Sequence, residues 1–276
     1  MQKTLTVLVP ALLILFTLQH SSSIAVGEQS KNNNIELAQD KTDKKKPSSN
    51  SKITLEEILE KHYQAIGGDE AWKSVDTIKF SGRMSTKNGV FRTAAIFKRP
   101  DLCRLDFQSG RLYFMEAYDG NIPWQMNPGT RNGPEILKGK RAKQMIDTCD
   151  FEGPLVDHKK KGHKITYLGE EQVEDRQAYL LEVNFNTGNI DKYYLDTQTY
   201  LPFMVKGTTT IQDRSVNSTI MVSEYIEIDD IKIPFAYEFI VDDNPDTETL
   251  RINTVELNSE VDNTIFNLPK RPQDLR

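Results

Sequence analysis

Residues 97–128 read FKRPDLCRLDFQSGRLYFMEAYDGNIPWQMNP. Within them Cys103, Leu105 and Phe107 alternate with charged residues, the period of a strand that buries one face. Ser109-Gly110 and Asp119-Gly120 supply the turn chemistry that sends the chain back on itself. Trp124 follows the second turn, yet the stretch carries neither a nucleophile with its base nor a set of metal ligands. It therefore predicts antiparallel hairpins whose value lies in shape and apolarity.

The same period continues on both sides. Ile78, Phe80, Gly82 and Met84 alternate with polar residues, as do Tyr179, Leu181, Val183 and Phe185, and then Ile233, Phe235, Tyr237, Phe239 and Val241. Turn residues at Lys87-Asn88-Gly89, Thr187-Gly188 and Asp229-Asp230 separate them, which gives roughly ten consecutive strands. Two helical pieces interrupt this pattern. Thr54 and Glu57 form a capping box before Leu55, Ile58, Leu59, His62, Tyr63 and Ile66, one apolar stripe that Gly67-Gly68 ends. A short further turn over residues 69–73 places Trp72 against the core. The second helix is predicted over residues 134–147, with Pro134 at its first position, Gly139 as a weak point, and Leu137, Ala142, Met145 and Ile146 on its apolar side.

Strands with one apolar face must cover it, and two helices are too few to cover a wide flat sheet. A sheet curled into an incomplete or complete barrel, with the helices at its mouth, solves the problem. The expected class is mainly β (α+β). Such a container holds a hydrophobic guest if its own side chains do not fill it.

The remaining sequence sets the context. Residues 1–25 carry Lys3, an apolar run and a small-residue Ser23-Ile24-Ala25 site, and read as a secretory signal peptide. The run is shorter than the ~20 apolar residues of a spanning helix and contains Pro10. No cysteine stands near it for lipid attachment. Residues 26–52, with an Asn run and Lys44-Lys45-Lys46, are too polar to form a core and read as a disordered linker. Residues 53–276 form the one domain. Of 35 basic and 40 acidic residues in the chain, 28 and 36 fall there, a balance that argues against a nucleic-acid partner. Cys103 and Cys149 lie in a compartment that permits a disulfide, and pairing and two buried thiols are both open.

The chain contains no HExxH, GxSxG, CxxC or glycine-rich phosphate loop. His62 falls in the helix stripe, where a core imidazole is expected. His158 and His163 flank Lys159-Lys160-Lys161-Gly162, which reads as a solvated turn. The basic run Lys138, Lys140, Arg141 and Lys143 is a solvated helix face or a contact for an acidic partner or lipid head groups. Nothing assembles into a catalytic constellation, so no enzyme, metal or cofactor is expected.

Lys98-Arg99-Pro100-Asp101-Leu102, followed by Asp119-Gly120, Trp124 and Asn127-Pro128, resembles the periplasmic outer-membrane lipoprotein carrier family, LolA/LolB-like. The likeness includes the leading helix with its Gly-Gly stop, residues 150–156, residues 225–234 and the closing Ile265-Phe266-Asn267-Leu268-Pro269. It implies an unclosed antiparallel barrel, or strongly curved sheet, of about eleven strands with helices capping the concave side and a cavity for acyl chains. It further implies a monomeric periplasmic carrier of lipoproteins or lipids, served by an inner-membrane donor complex and an outer-membrane receptor. The missing lipid-bearing cysteine argues against the anchored receptor branch. By the same likeness Arg99 is the latch that bonds carbonyls of the lid helices. Wall and lid are expected among Leu59, Phe80, Leu105, Phe107, Phe114, Trp124, Met145, Phe235, Tyr237 and Phe239, each of which serves equally as plain core. The competing reading is a lipid-sensing regulatory or interaction module on the same fold, with no transport role.

Overall fold

The computed structural model describes residues 53–127, 133–211, 214–242 and 246–269. The predicted signal peptide (1–25) and linker (26–52) lie outside the described residues. Among the described residues three α-helices, α1 (Leu55–Ala65), α2 (Gly68–Lys73) and α3 (Gly139–Thr148), accompany thirteen strands. These are β1 (Thr77–Thr86), β2 (Gly89–Lys98), β3 (Leu102–Ser109), β4 (Leu112–Tyr118), β5 (Pro123–Met126), β6 (Glu135–Ile136), β7 (Lys164–Val173), β8 (Arg176–Asn184), β9 (Ile190–Asp196), β10 (Pro202–Ile211), β11 (Arg214–Ile228), β12 (Ile231–Val241) and β13 (Glu248–Leu257). A 3-10 turn at Asn263–Phe266 follows.

All strands join one antiparallel sheet in the order β6-β5-β4-β3-β2-β1-β13-β12-β11-β10-β9-β8-β7. Only the β1–β13 pairing departs from sequence order, and it welds two meanders into one surface. β6 and β7 are the two edges and do not meet, so the barrel is unclosed, as the sequence suggests. The strand number exceeds the expected eleven. The additions include β5 and β6, four and two residues long, too short for an alternation to register.

Register fixes the faces. Ile78 stands opposite Phe97, Phe97 opposite Cys103, and Cys103 opposite Tyr118; the next row runs Phe80, Ala95, Leu105 and Glu116. Because the side-chain period is two, these rows share one face. A bulge between Ser81 and Gly82 shifts β1 against β13, and a Cβ on Gly82 would lie 2.4 Å from Arg251 O. Glycine thus permits the close approach that bends the sheet.

The helices roof this face. Thr54 Oγ1 accepts from Glu57 N at 3.2 Å while Thr54 N donates to Glu57 Oε2 at 2.8 Å, the expected capping box. α1 then lays Ile58 on Leu155, Leu181, Tyr193 and Leu195, over the β7–β10 half. Gly67, at φ 124°, turns the chain against the β11–β12 hairpin, where Lys232 N donates to Ile66 O at 2.9 Å. α2 seats Trp72 in the larger core beside Phe151, ring centroids 6.4 Å apart. α3 lies over β4 and β5. It begins at Gly139, later than expected, because Leu137 N bonds Pro123 O at 2.8 Å and residues 135–136 are drawn into the sheet as β6. Cys149, at the end of α3, is joined to Cys103 of β3 by a disulfide with Cα atoms 5.2 Å apart.

Candidate functional site

The roof meets the sheet through Arg99, the first residue beyond β2. Its Nε donates to Val75 O at 2.7 Å, and its Nη2 donates to Trp72 O at 2.7 Å and to Glu152 Oε1 at 2.6 Å. Trp72 and Val75 bracket the C-terminal end of α2, where carbonyls lack helical partners. A planar guanidinium with five fixed donors suits that fork of acceptors, which a point-charge ammonium cannot bridge. The guanidinium also lies 4.8 Å from the Phe151 ring centroid. One side chain thereby ties β2 to α2 and to the strap that follows Cys149.

A second cation organises the strap. Lys161 Nζ donates to Asp150 Oδ1 at 2.7 Å and to Gly153 O at 3.0 Å, and stands 3.4 Å from Glu152 Oε2. Burial pushes the Asp150 carboxyl up to about 6 against the pull of Lys161. Asp147, at the end of α3, is likewise raised to about 6 by burial, although Thr187 Oγ1 and Asn189 Nδ2 donate to it at 2.7 and 2.6 Å. Over β4, Arg141 of α3 pairs with the buried Glu116 and donates to Gln125 Oε1 at 3.1 Å. Lys143 Nζ donates to Thr187 O at 2.8 Å. Two members of the basic run therefore hold α3 down.

Phe80, Leu105, Phe107, Met145, Tyr237 and Phe239 come together in the main buried cluster, with Phe114 and Phe235 partly buried at its margin. Leu59 lies apart on α1, against the cluster that contains Leu155 and Tyr193. Trp124 belongs to the opposite face. It pairs with Ala117, next to Glu116 and hence of opposite orientation, packs with Met115 and Leu268, and donates from Nε1 to Phe266 O at 2.8 Å. Phe97, Leu105 and Phe107 are each 0% exposed, so no water-sized gap adjoins them and an acyl chain reaches them only if the roof moves. A depression of about 400 Å³ between the β9–β10 turn and β11 is lined by none of the eleven candidates. Phe151, Glu152 and Lys161 escape a sequence reading because the strap has no periodicity. The buried Glu116 breaks the apolar pattern of β4 and is the signal that leads to Arg141.

Among the described residues no three His, Cys, Asp or Glu group as metal ligands, and no helix is long and apolar enough to cross a membrane. No protein-family model and no curated protein matches the chain. Solved structures do. An outer membrane lipoprotein-sorting protein domain from Vibrio parahaemolyticus superposes with a TM-score of 0.54 at 13% identity, covering 76% of this chain and 95% of that one. A DUF1329 family protein from Desulfovibrio piger gives 0.56 at 12%, covering 80% and 99%. A LolA superfamily protein from Nitrosomonas europaea gives 0.53 at 15%, covering 78% and 98%. At these identities the likeness is one of architecture, and it spans nearly the whole of each neighbour. The chain has the fold of LolA superfamily and outer membrane lipoprotein-sorting domain structures.

Proposed function

We propose that this protein is a periplasmic carrier that shelters acyl chains of lipoproteins or lipids against the apolar face of its sheet and escorts them toward the outer membrane. The observation behind this reading is the clasp. Arg99, at the end of β2, is committed to two carbonyls and a carboxylate of the roof, so that edge of the roof is closed by a few polar contacts from one side chain. Hydrogen bonds of this kind exchange with water when the roof lifts, so closing can be reversible. Carrying a chain through water unprotected costs ~0.8 kcal/mol per exposed CH₂, and covering it needs no reactive side chain. The names of two structural neighbours speak of lipoprotein sorting and of the LolA superfamily, and an inner-membrane donor and an outer-membrane receptor follow from that reading.

One observation favours a second reading. The fully buried Phe97, Leu105 and Phe107 suit an interaction module whose interior is filled by its own side chains. Native mass spectrometry of protein purified without detergent, followed by transfer to acceptor vesicles, separates the two. A carrier holds lipid mass and hands it over; lipid held but never passed on indicates a sensor. Protein that neither holds nor takes up lipid overturns the carrier reading.

A further inference from the structure

On the face of the sheet away from the roof, three adjacent strands carry a row of arginines. Arg83 of β1 stands directly opposite Arg251 of β13 on one side and directly opposite Arg92 of β2 on the other. All three are exposed. A strand spacing of about 4.8 Å makes the row roughly 10 Å long. Like charges directly opposite one another destabilise a sheet, so three in line call for an explanation in a domain with 28 basic and 36 acidic residues. Local pairing accounts for one of them. Arg251 Nη1 donates to Glu224 Oε2 at 2.8 Å, and Glu238, opposite Thr249, lies diagonal to it. Among the described residues the side chains of Arg83 and Arg92 have neither an ion pair nor a hydrogen bond. Asp106, diagonal to Arg92 across β2 and β3, is engaged by Arg104 and Tyr113. The rest of the surroundings are small: Ser81 and Ser85 flank Arg83, and Ala94 follows Arg92 on the same face. Toward the hairpin ends two aliphatic side chains share this face, Val90 opposite Ser85 at 53% exposure and Ile240, two residues beyond Glu238, at 38%.

We propose that Arg83, Arg92 and Arg251, with Val90 and Ile240, dock this face of the sheet on a membrane surface by binding the phosphates of anionic lipid headgroups. A guanidinium fork matches the oxygens of a phosphate, and a bilayer offers phosphates to all three arginines at once. Exposed aliphatic side chains beside exposed cations are the composition of a surface that rests at the headgroup boundary. An acidic polypeptide fits less well. β13, β1 and β2 are interior strands with both edges paired, so they have no free backbone to which a segment could add. The excess of acidic residues elsewhere confines the contact to this row and makes it sensitive to salt. The inference stands apart from whether the other face of the sheet shelters an acyl chain.

Contact is best read at the face itself, because Lys44-Lys45-Lys46 also draws the full chain to an anionic surface. Cys103 and Cys149 are bonded to each other, so Ser85→Cys supplies a single thiol for an environment-sensitive dye beside the row. The dye is expected to brighten with phosphatidylcholine vesicles that contain phosphatidylglycerol and to stay dim with phosphatidylcholine alone. Arg83→Gln with Arg92→Gln is expected to weaken that docking about thirtyfold, the effect of two cations at an anionic surface. Lys159→Gln with Lys164→Gln, the same charge change at the other end of the domain, is expected to weaken it less than about threefold. The melting temperature of the arginine pair variant holds or rises, since a like-charge contact is relieved. No response to the anionic vesicles, an equal response to phosphatidylcholine alone, or a loss below about threefold in the arginine variant overturns the docking face. The same dye response to polyglutamate or to inorganic phosphate without vesicles assigns the row to an acidic protein or a free anion, and overturns it too. In each of these cases the carrier reading is untouched.

Discussion

Replacing Arg99 by leucine removes three hydrogen bonds of 2.6–2.7 Å that hold α2 and the strap to the sheet. Charged-group bonds contribute up to about 1.5–3 kcal/mol each, and the 30% exposure of the side chain calls for a discount, which leaves about 3 kcal/mol in all. Against a stability of about 5–15 kcal/mol the chain still folds, but roof opening becomes easier on the order of a hundredfold. The loss must be local. Amide exchange is expected to accelerate by that factor in α2 and in residues 150–156, while β8 and β9 keep their protection. Fluorescence offers a second readout, because the chain has two tryptophans and Trp124 lies under the other face. In a Trp124→Phe background, Trp72 reports the roof alone and shifts to the red in Arg99→Leu. Arg99→Lys is expected to fall between, since an ammonium cannot bridge all three acceptors. Exchange that changes less than about threefold in α2, or rises equally across the sheet, refutes the clasp.

The Cys103–Cys149 bond closes a 46-residue separation, so Cys103→Ser with Cys149→Ser costs about 4 kcal/mol in urea melts by chain entropy. Glu248 has a folded pKa of about 7, above its ordinary 4.5, so its contribution is most favourable below pH 4.5 and is lost as pH rises through 7. Glu248→Gln is therefore expected to stabilise the protein by about 3 kcal/mol at pH 8 and to give no gain at pH 4. His62 has the opposite sign: burial lowers it to about 4 from 6.5, so its contribution is full above 6.5 and falls as pH drops to 4. His62→Gln is expected to flatten the decline in melting temperature between pH 6.5 and 4, and an unchanged acid limb counts against it.

The alternation in residues 231–241 and 102–107, the capping box at Thr54 and the turn residues were legible because each is local chemistry repeated over a few positions. The β1–β13 weld was not, since it joins strands at opposite ends of the domain and leaves no trace in either. Trp124 illustrates a parity problem. Asp119–Ile122 lies between β4 and β5, and the length of that turn decides which face Trp124 takes; composition does not encode it. Glu152 and Lys161 look like ordinary surface charges until the strap brings them to Arg99 and Asp150. Glu248 could have been found. It shares parity with Leu250 and Ile252, so a carboxylate there occupies an apolar position of β13.

The disulfide and the clasp act on the same strap from almost the same place, and that limits how the roof can move. Cys149 is bolted to β3, and Glu152 is held by Arg99 at the neighbouring end of β2. Beyond Glu152 the strap carries Leu155, which packs in the cluster under α1, and Val156, which lies in the main core, so it couples the clasp to both. α3 has its own anchors in Arg141–Glu116 and Lys143, and stays with the sheet. On the carrier reading, the part expected to move is α2 with the strap, while the end of α1 is held to the β11–β12 hairpin by Lys232 N and Ile66 O. Release of Arg99 is then expected to uncover Trp72 and Phe151 first, since both lie in the buried cluster at the clasp and neither belongs to a strand. On that reading, a sheet with one hinged edge of its roof is the mechanical arrangement a reversible container requires, and the guanidinium placed where helix carbonyls end would be its catch.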